Sequence, residues 1–226
     1  MLVILLWILF ILAFCLVSSV IAKRHGRPDF LIATYAALVV LANVTAVKQV
    51  EIFGLFAPSA VIAYSVTFLL TDMLAEHFSK RDAHRAVWAG FYANLLLVAV
   101  VMISVRMTPA PFWGLQEEYQ KILGLVPRIV LASMIAFLVS QHLDVIQFHL
   151  WKQKTGGRYL WLRNNASTMV SQLVDTTLFI TIAFYGTPGF PILTVIKGQY
   201  LLKLLIAALD TPFIYLSRWV YRHKSI

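Results

Sequence analysis

The sequence predicts an all-α integral membrane protein, a single-domain bundle of transmembrane helices spanning residues 1–226, and three observations carry that prediction. First, 60% of the 226 residues are hydrophobic and only 13% are charged, with a mean hydropathy of +0.80, far from the mix of a soluble globular domain. Second, seven apolar runs approach the ~20 helical residues that a hydrocarbon core about 30 Å thick requires. Third, Lys and Arg gather in alternate segments between those runs. Backbone groups in lipid must pair internally, and runs of this length do so as helices, whereas barrel strands are ~10 alternating residues.

The first run, Met1 to Ala22, has almost no polar side chain beyond Ser18 and Ser19, so it is expected to face lipid on every side at the periphery. It lacks a basic n-region, exceeds a usual h-region and ends in Ala22-Lys23-Arg24 without a small-residue cleavage site. An uncleaved span is therefore expected. The second run, Phe30 to Val47, closes with Asn43, Thr45 and Lys48, and Lys48 can snorkel to the boundary.

The third run, Ala57 to Phe78, carries Tyr64, Thr67, Thr71, Asp72 and Glu76 through its second half. Asp72 and Glu76 stand one helical turn apart, which calls for a proton or a nearby cation. Glu76 has a plainer reading, as an edge residue neutralised by Lys80 and Arg81. The fourth run, Val87 to Val105, is aliphatic beyond Trp88, Tyr92 and Asn94 and reads as scaffold. The stretch from Thr108 to Pro127, with Trp113 and Tyr119, suits an interfacial half-helix or lid.

The fifth run, Ile129 to Leu150, and the sixth, Ala166 to Gly186, each contain Ser-Gln-x-x-Asp: Ser140, Gln141 and Asp144, then Ser171, Gln172 and Asp175. A carboxylate in hydrocarbon costs roughly 2.5–3.5 kcal/mol on insertion scales, so these acids point to recognition or transport. On the sixth run Ser167, Ser171 and Asp175 recur every four residues, giving a polar face that must look at protein or water. The seventh run, Pro191 to Ser217, carries Lys203 and Asp210 on one side, seven residues apart. Ser171, Gln172, Asp175, Lys203 and Asp210 can converge in one cavity, where a buried Lys needs an acid as partner. A structural salt bridge between Lys203 and Asp210 is the competing reading.

Placing the N-terminus outside puts thirteen of the nineteen Lys and Arg residues on the cytoplasmic side. These are Lys23, Arg24, Arg27, Lys80, Arg81, Arg85, Lys152, Lys154, Arg158, Arg163, Arg218, Arg222 and Lys224. The outer side keeps Lys48, Arg106, Lys121 and Arg128, so the positive-inside rule selects N-out, C-in. The net charge of +9 is thus spread over short loops and forms no nucleic-acid-binding patch. The single cysteine, Cys15, allows no intrachain disulfide and no cysteine metal site.

A carboxylate accepts two parallel hydrogen bonds from an amidine-like edge, and glutamine both donates and accepts. Guanine-type bases present such an edge, and Phe68, Phe137, Phe148 and Phe179 offer stacking faces. A purine-like ligand fits this chemistry without being singled out by it.

The motif set resembles the queuosine precursor transporter family, also called the vitamin-uptake-like transporter family. The resemblance runs through Tyr64-Ser-Val-Thr-Phe-Leu-Leu-Thr-Asp72 with Glu76, Ser140-Gln-His-Leu-Asp144, Leu160-Trp-Leu-Arg163-Asn164-Asn165-Ala-Ser167-Thr168 and Ser171-Gln-Leu-Val-Asp175-Thr176. It continues through Ile182-Ala-Phe-Tyr-Gly186, Lys203 and Leu209-Asp210-Thr211-Pro212, covering roughly Phe30 to Arg218. It implies a core of six helices over residues 30–218, importing 7-cyano- or 7-aminomethyl-7-deazaguanine across a prokaryotic plasma membrane. The run 1–22 is then an additional span. Ser79 departs from the family pattern, where Gly often follows the Asp-x-x-x-Glu segment.

The matching positions imply substrate contacts at Asn43, Asp72, Gln141, Asp144, Asn164, Gln172, Asp175, Lys203 and Asp210, to which the reading of the sixth run adds Ser171. Glu76, Arg163 and Ser167 are the expected gating or ion-pair residues. The expected partners are a small molecule of 7-deazaguanine type and the lipid bilayer, with no nucleic acid, no metal and no cofactor, and a homodimer is allowed. No Walker-type phosphate loop, Gly-x-Gly-Asp, Gly-x-Ser-x-Gly or His-Glu-x-x-His element occurs, which speaks against an ATPase and an intramembrane protease. A substrate-binding subunit energised by a partner ATPase is the alternative to a self-sufficient transporter.

Overall fold

The computed structural model describes residues 2–154 and 160–206. For residues 76, 141, 144, 145, 148, 149, 151, 152, 154 and 160–168 the description is of the backbone alone. Within these residues the chain is mainly helical, in the order α1 (Leu2–His25), α2 (Asp29–Thr45), β1 (Gln49–Ile52), β2 (Leu55–Pro58), α3 (Val61–His77), α4 (Lys80–Arg106), α5 (Gln116–Leu123), α6 (Val126–Lys154) and α7 (Leu160–Phe184). A last helix, α8, covers 192–206. Three helical stretches, Leu2–His25, Lys80–Arg106 and Gln116–Ser140, are long and apolar enough to cross a bilayer, and shorter apolar helices accompany them at Asp29–Thr45, Val61–Ala75 and Met169–Phe184.

The α1 helix does not face lipid all round, as its composition led us to expect. Ile11, Leu12, Cys15, Ser18, Ser19 and Ala22 are buried, a stripe at three- and four-residue spacing. The small residues at its end let α2 approach closely, and the Ser18 and Thr34 hydroxyls hydrogen-bond at 2.8 Å.

The third expected span begins four residues late, because Ala57 and Pro58 belong to a strand. β1 and β2 form an antiparallel hairpin pairing Gln49 with Pro58 and Ile52 with Leu55, an element that an all-α reading omits. Its two-residue turn is Phe53-Gly54, with φ of 53° and 76°. Positive φ at both central residues is the type I′ geometry that matches the twist of paired strands. The hairpin is fastened to α2: the Ser59 amide donates to Lys48 O at 2.8 Å and the Ser59 hydroxyl to Thr45 O at 2.7 Å. It also lies directly on α8, since a Cβ on Gly198 would stand 2.1 Å from Phe56 O.

Ser79 has a local role. Its hydroxyl caps α4, accepting from the Asp82 amide at 3.1 Å and donating to the Asp82 carboxylate at 2.6 Å, a short relative of the capping box. The short helix α5 is tied to α4 by the Ser104 and Tyr119 hydroxyls at 2.5 Å, where the sequence led us to expect a half-helix.

α6 and α7 pack side by side as an antiparallel pair. At one end the Arg128 guanidinium donates to the carbonyls of Ile182 and Tyr185, at 2.7 and 2.6 Å. About three turns along, Ser140 of α6 lies opposite Asp175 of α7.

Candidate functional site

Five helices and the hairpin line a partly open chamber. It is lined by Ala42, Asn43 and Ala46 at the end of α2, Pro58 of β2, Ala60, Val61 and Tyr64 at the start of α3, Ser133 and Ala136 of α6, Asp175 and Phe179 of α7, and Gln199 and Lys203 of α8. The spacings 42-43-46, 60-61-64, 175-179 and 199-203 each keep one helical face toward the space. The atom-free space of the chamber is about 370 Å³ with the part open to solvent counted in, and it is so finely divided between side chains that it has room for little more than a water molecule.

Its polar groups are few and fixed. Asp175 is 2% exposed and Lys203 5%, and the Lys203 ammonium donates to Asp175 Oδ2 at 2.5 Å. The Ser140 hydroxyl donates to Asp175 Oδ1 at 3.4 Å, so the serine of the first Ser-Gln-x-x-Asp copy meets the aspartate of the second. Lys203 Nζ also stands 5.2 Å from the Tyr64 ring centroid, within cation–π range. Asn43 is buried, and its amide nitrogen donates to Val39 O at 3.0 Å and to Asn94 Oδ1 at 3.1 Å. Both amide hydrogens are thereby committed, leaving Asn43 Oδ1 as an acceptor.

Gln199 is 4% exposed, and its Oε1 is buried with no hydrogen-bond partner among the described residues. A buried carbonyl without a donor costs about 1–3 kcal/mol, and this one belongs to a residue lining the chamber. The sequence reading missed Gln199. Its signal was modest: a lone amide in an apolar run, one turn before Lys203 and hence on the same face.

Of the residues expected from the sequence, the structure brings Asn43, Asp175 and Lys203 to the chamber. Ser171 is buried one turn from Asp175, and Gln172 is half-buried with its Oε1 unpartnered among the described residues, but neither lines the space. Asp72 is exposed on α3, two turns beyond Tyr64, and lies away from the chamber. Lys203 takes Asp175 as its partner, where a bridge to Asp210 was the competing expectation. Asp210 lies outside the described residues, and for Glu76, Gln141, Asp144, Arg163, Asn164 and Ser167 only the helical backbone is described. Among the described residues no three His, Cys, Asp or Glu side chains gather as a metal site would need.

The chamber lining from Pro58 to Lys203 falls in the stretch that matches a known family, and Ala42, Asn43 and Ala46 precede it. Residues 58–217 match the family model described as "Putative vitamin uptake transporter". A Bacillus subtilis protein named "Probable queuosine precursor transporter" is 34% identical over 94% of this chain and 93% of its own length. A Haemophilus influenzae protein of the same name is 29% identical over 63% of this chain and 58% of its own length. The Escherichia coli "Queuosine precursor transporter" is 28% identical over 74% of this chain and 72% of its own length. No solved structure matches the chain.

Proposed function

We propose that this chain, which belongs to the vitamin uptake transporter family, imports a queuosine precursor of the 7-deazaguanine class through the chamber beneath the hairpin. The observation that carries the reading is the pairing of a buried ion pair with two acceptor-only amide oxygens on the lining of one chamber. Asn43 Oδ1, Gln199 Oε1 and the Asp175 carboxylate accept from the N–H groups of a guanine-type edge, and the Lys203 ammonium donates to its carbonyl. Tyr64 and Phe179 supply faces for stacking.

In the described form the chamber is too tight for a bicyclic base, so loading requires the lining helices to part. A form that closes on one occupant and opens to either side is what carriage across a bilayer demands. The charge asymmetry of the loops supports seven spans with the N-terminus outside and the C-terminus in the cytoplasm of a prokaryotic plasma membrane. In that frame the hairpin covers the chamber from the outer side, and α8 carries Gln199 and Lys203 to depths of about 12 and 18 Å.

Purified full-length chain in liposomes, given labelled 7-cyano- or 7-aminomethyl-7-deazaguanine, tests the proposal. Uptake by the chain alone is expected, with a KM raised about tenfold or more in Gln199→Leu, the loss of one to two buried hydrogen bonds. Absence of uptake together with absence of any thermal shift by guanine, either deazaguanine or queuine overturns it. Binding without uptake by the chain alone transfers the energising step to a partner ATPase.

A further inference from the structure

A second hollow lies next to the chamber, on the side toward the α3–α4 junction. It is bounded by Tyr35, Thr67, Phe68, Thr71, Val87 and Phe137, and it shares one lining residue with the chamber, Tyr64. It is half open, with about 500 Å³ of atom-free space when the part open to solvent is counted in, and its space comes in wider pieces than the chamber's. A single face of α3 runs through both: Ala60, Val61 and Tyr64 border the chamber, and Tyr64, Thr67, Phe68 and Thr71 border the second hollow. Steps of three and four residues keep them in line. Val61 to Thr71 covers about 15 Å of axis, half a hydrocarbon core. α6 repeats the arrangement, with Ser133 and Ala136 on the chamber and Phe137 on the hollow.

Between the two stands the Tyr64 ring, with Lys203 Nζ 5.2 Å from its centroid and Phe68 edge-on at 5.6 Å. We propose that the second hollow is a second binding station for the same flat base, and that the Tyr64 ring is the partition the base must displace to pass between them. The inference rests on the transport reading above.

The chemistry of the two stations differs in a way that gives the route a direction. The Thr67 and Thr71 hydroxyls already donate to the Tyr64 and Phe68 carbonyls, at 2.6 and 2.8 Å, so they offer a ligand only lone pairs. Tyr35, Phe68 and Phe137 offer stacking faces. No carboxylate and no lysine lines the hollow among the described residues, and its one titratable ring outside the tyrosines, His84, lies at the α3–α4 end. A base held there by stacking, the two threonine acceptors, the tyrosine hydroxyls and the His84 ring faces no ion pair among the described residues, so it is bound less tightly than one facing the Asp175–Lys203 pair, and it is nearer the basic α3–α4 segment. The hollow therefore serves release.

Because Cys15 is the only cysteine, Cys15→Ser gives a clean background for two reporters, Thr71→Cys in the hollow and Ser133→Cys in the chamber. Full-length protein in vesicles is exposed from the α3–α4 side to a membrane-impermeant methanethiosulfonate. Thr71→Cys is expected to react, and 7-cyano-7-deazaguanine at ten times its Kd for the hollow, the weaker of the two stations, to slow that reaction about tenfold. Ser133→Cys is expected to stay slow with Tyr64 or Tyr64→Phe, which keeps the ring, and to become fast with Tyr64→Ala, or with Tyr64→Leu if the alanine variant does not accumulate. Unchanged Ser133→Cys labelling in the ring-less variants overturns the partition. Failure of the base to protect Thr71→Cys, in protein that binds the base, overturns the second station. A chain that binds no base defeats the transport reading, while the labelling of Ser133→Cys still decides the role of Tyr64.

Discussion

Asp175 on α7 and Lys203 on α8 meet at 2.5 Å with side chains 3% and 4% exposed, so two charges on separate helices neutralise each other inside the bundle. Desolvating both is expensive, and their attraction repays the cost only while both are present. The pair therefore joins the helices and charges the chamber at once.

Lys203→Met leaves the Asp175 carboxylate buried beside a thioether, and breaking a buried pair in this way costs about 3–5 kcal/mol. The double variant Asp175→Leu/Lys203→Met removes both charges and is expected to recover most of the lost thermal stability. Uptake separates the two roles. The double variant is expected to remain inactive in liposomes, and recovery of transport along with stability reduces the pair to a staple.

The contact of Gly198 with the hairpin has a sharp steric requirement. A methyl group there would overlap Phe56 O, and the atom in the way is backbone. Overpacking of this kind costs about 1–3 kcal/mol. Gly198→Ala is expected to lower the melting temperature and Gly198→Val to lower it further, with faster amide exchange in residues 49–58. An unaltered melting temperature in Gly198→Val refutes the close approach.

The part of this architecture legible in the sequence was the part that hydrophobic energetics dictates. Lys203 and Asp175 announced themselves because a charge in an apolar run must find a partner. Which partner was hidden, since Asp210 stands seven residues from Lys203 in the sequence, a spacing that would suit one helix face, and the sequence alone does not choose between it and Asp175. The hairpin was missed because Leu55-Phe56-Ala57-Pro58 continues into the apolar run of α3, and a short apolar stretch does not tell strand from helix. The cue was Phe53-Gly54 between two short apolar-containing segments. The α1 stripe escaped because Ser18, Ser19 and Ala22 are small, and small residues in lipid mark close packing as readily as exposure.

At the start of α4, acid is expected to loosen the cap. The Ser79 hydroxyl, first, and then Arg85 and Arg81 hold the Asp82 carboxyl below the usual carboxylate range, and Arg85 lies 3.0 Å from it. A depressed folded value means the cap's contribution is complete above the ordinary aspartate pKa of about 3.9 and disappears as pH falls through the folded value. Amide exchange at Asp82, taken relative to its intrinsic pH-dependent rate, is expected to be flat from neutral pH to about pH 5 and to rise below about pH 4. Asp82→Asn is expected to abolish that rise, and a rise that persists in this variant refutes the assignment.

Arg128 is one of the few basic residues that the topology proposal leaves on the outer side, and its position has a local cause. Its guanidinium reaches across from α6 to the carbonyls of Ile182 and Tyr185, in the last turn of α7 and just past its end, where carbonyls lack an intrahelical donor. A cation at that end also meets the negative pole of the helix. Because the residue is exposed, water screens it, and Arg128→Gln is expected to cost only about 1 kcal/mol of stability. Arg128→Lys keeps the charge but not the two-pronged geometry and is expected to fall between wild type and Arg128→Gln. If the residue instead sets orientation, Arg128→Gln changes which side of the membrane an added C-terminal tag occupies. The helix-end role predicts an unchanged tag location with a lowered melting temperature, and a flipped tag refutes it.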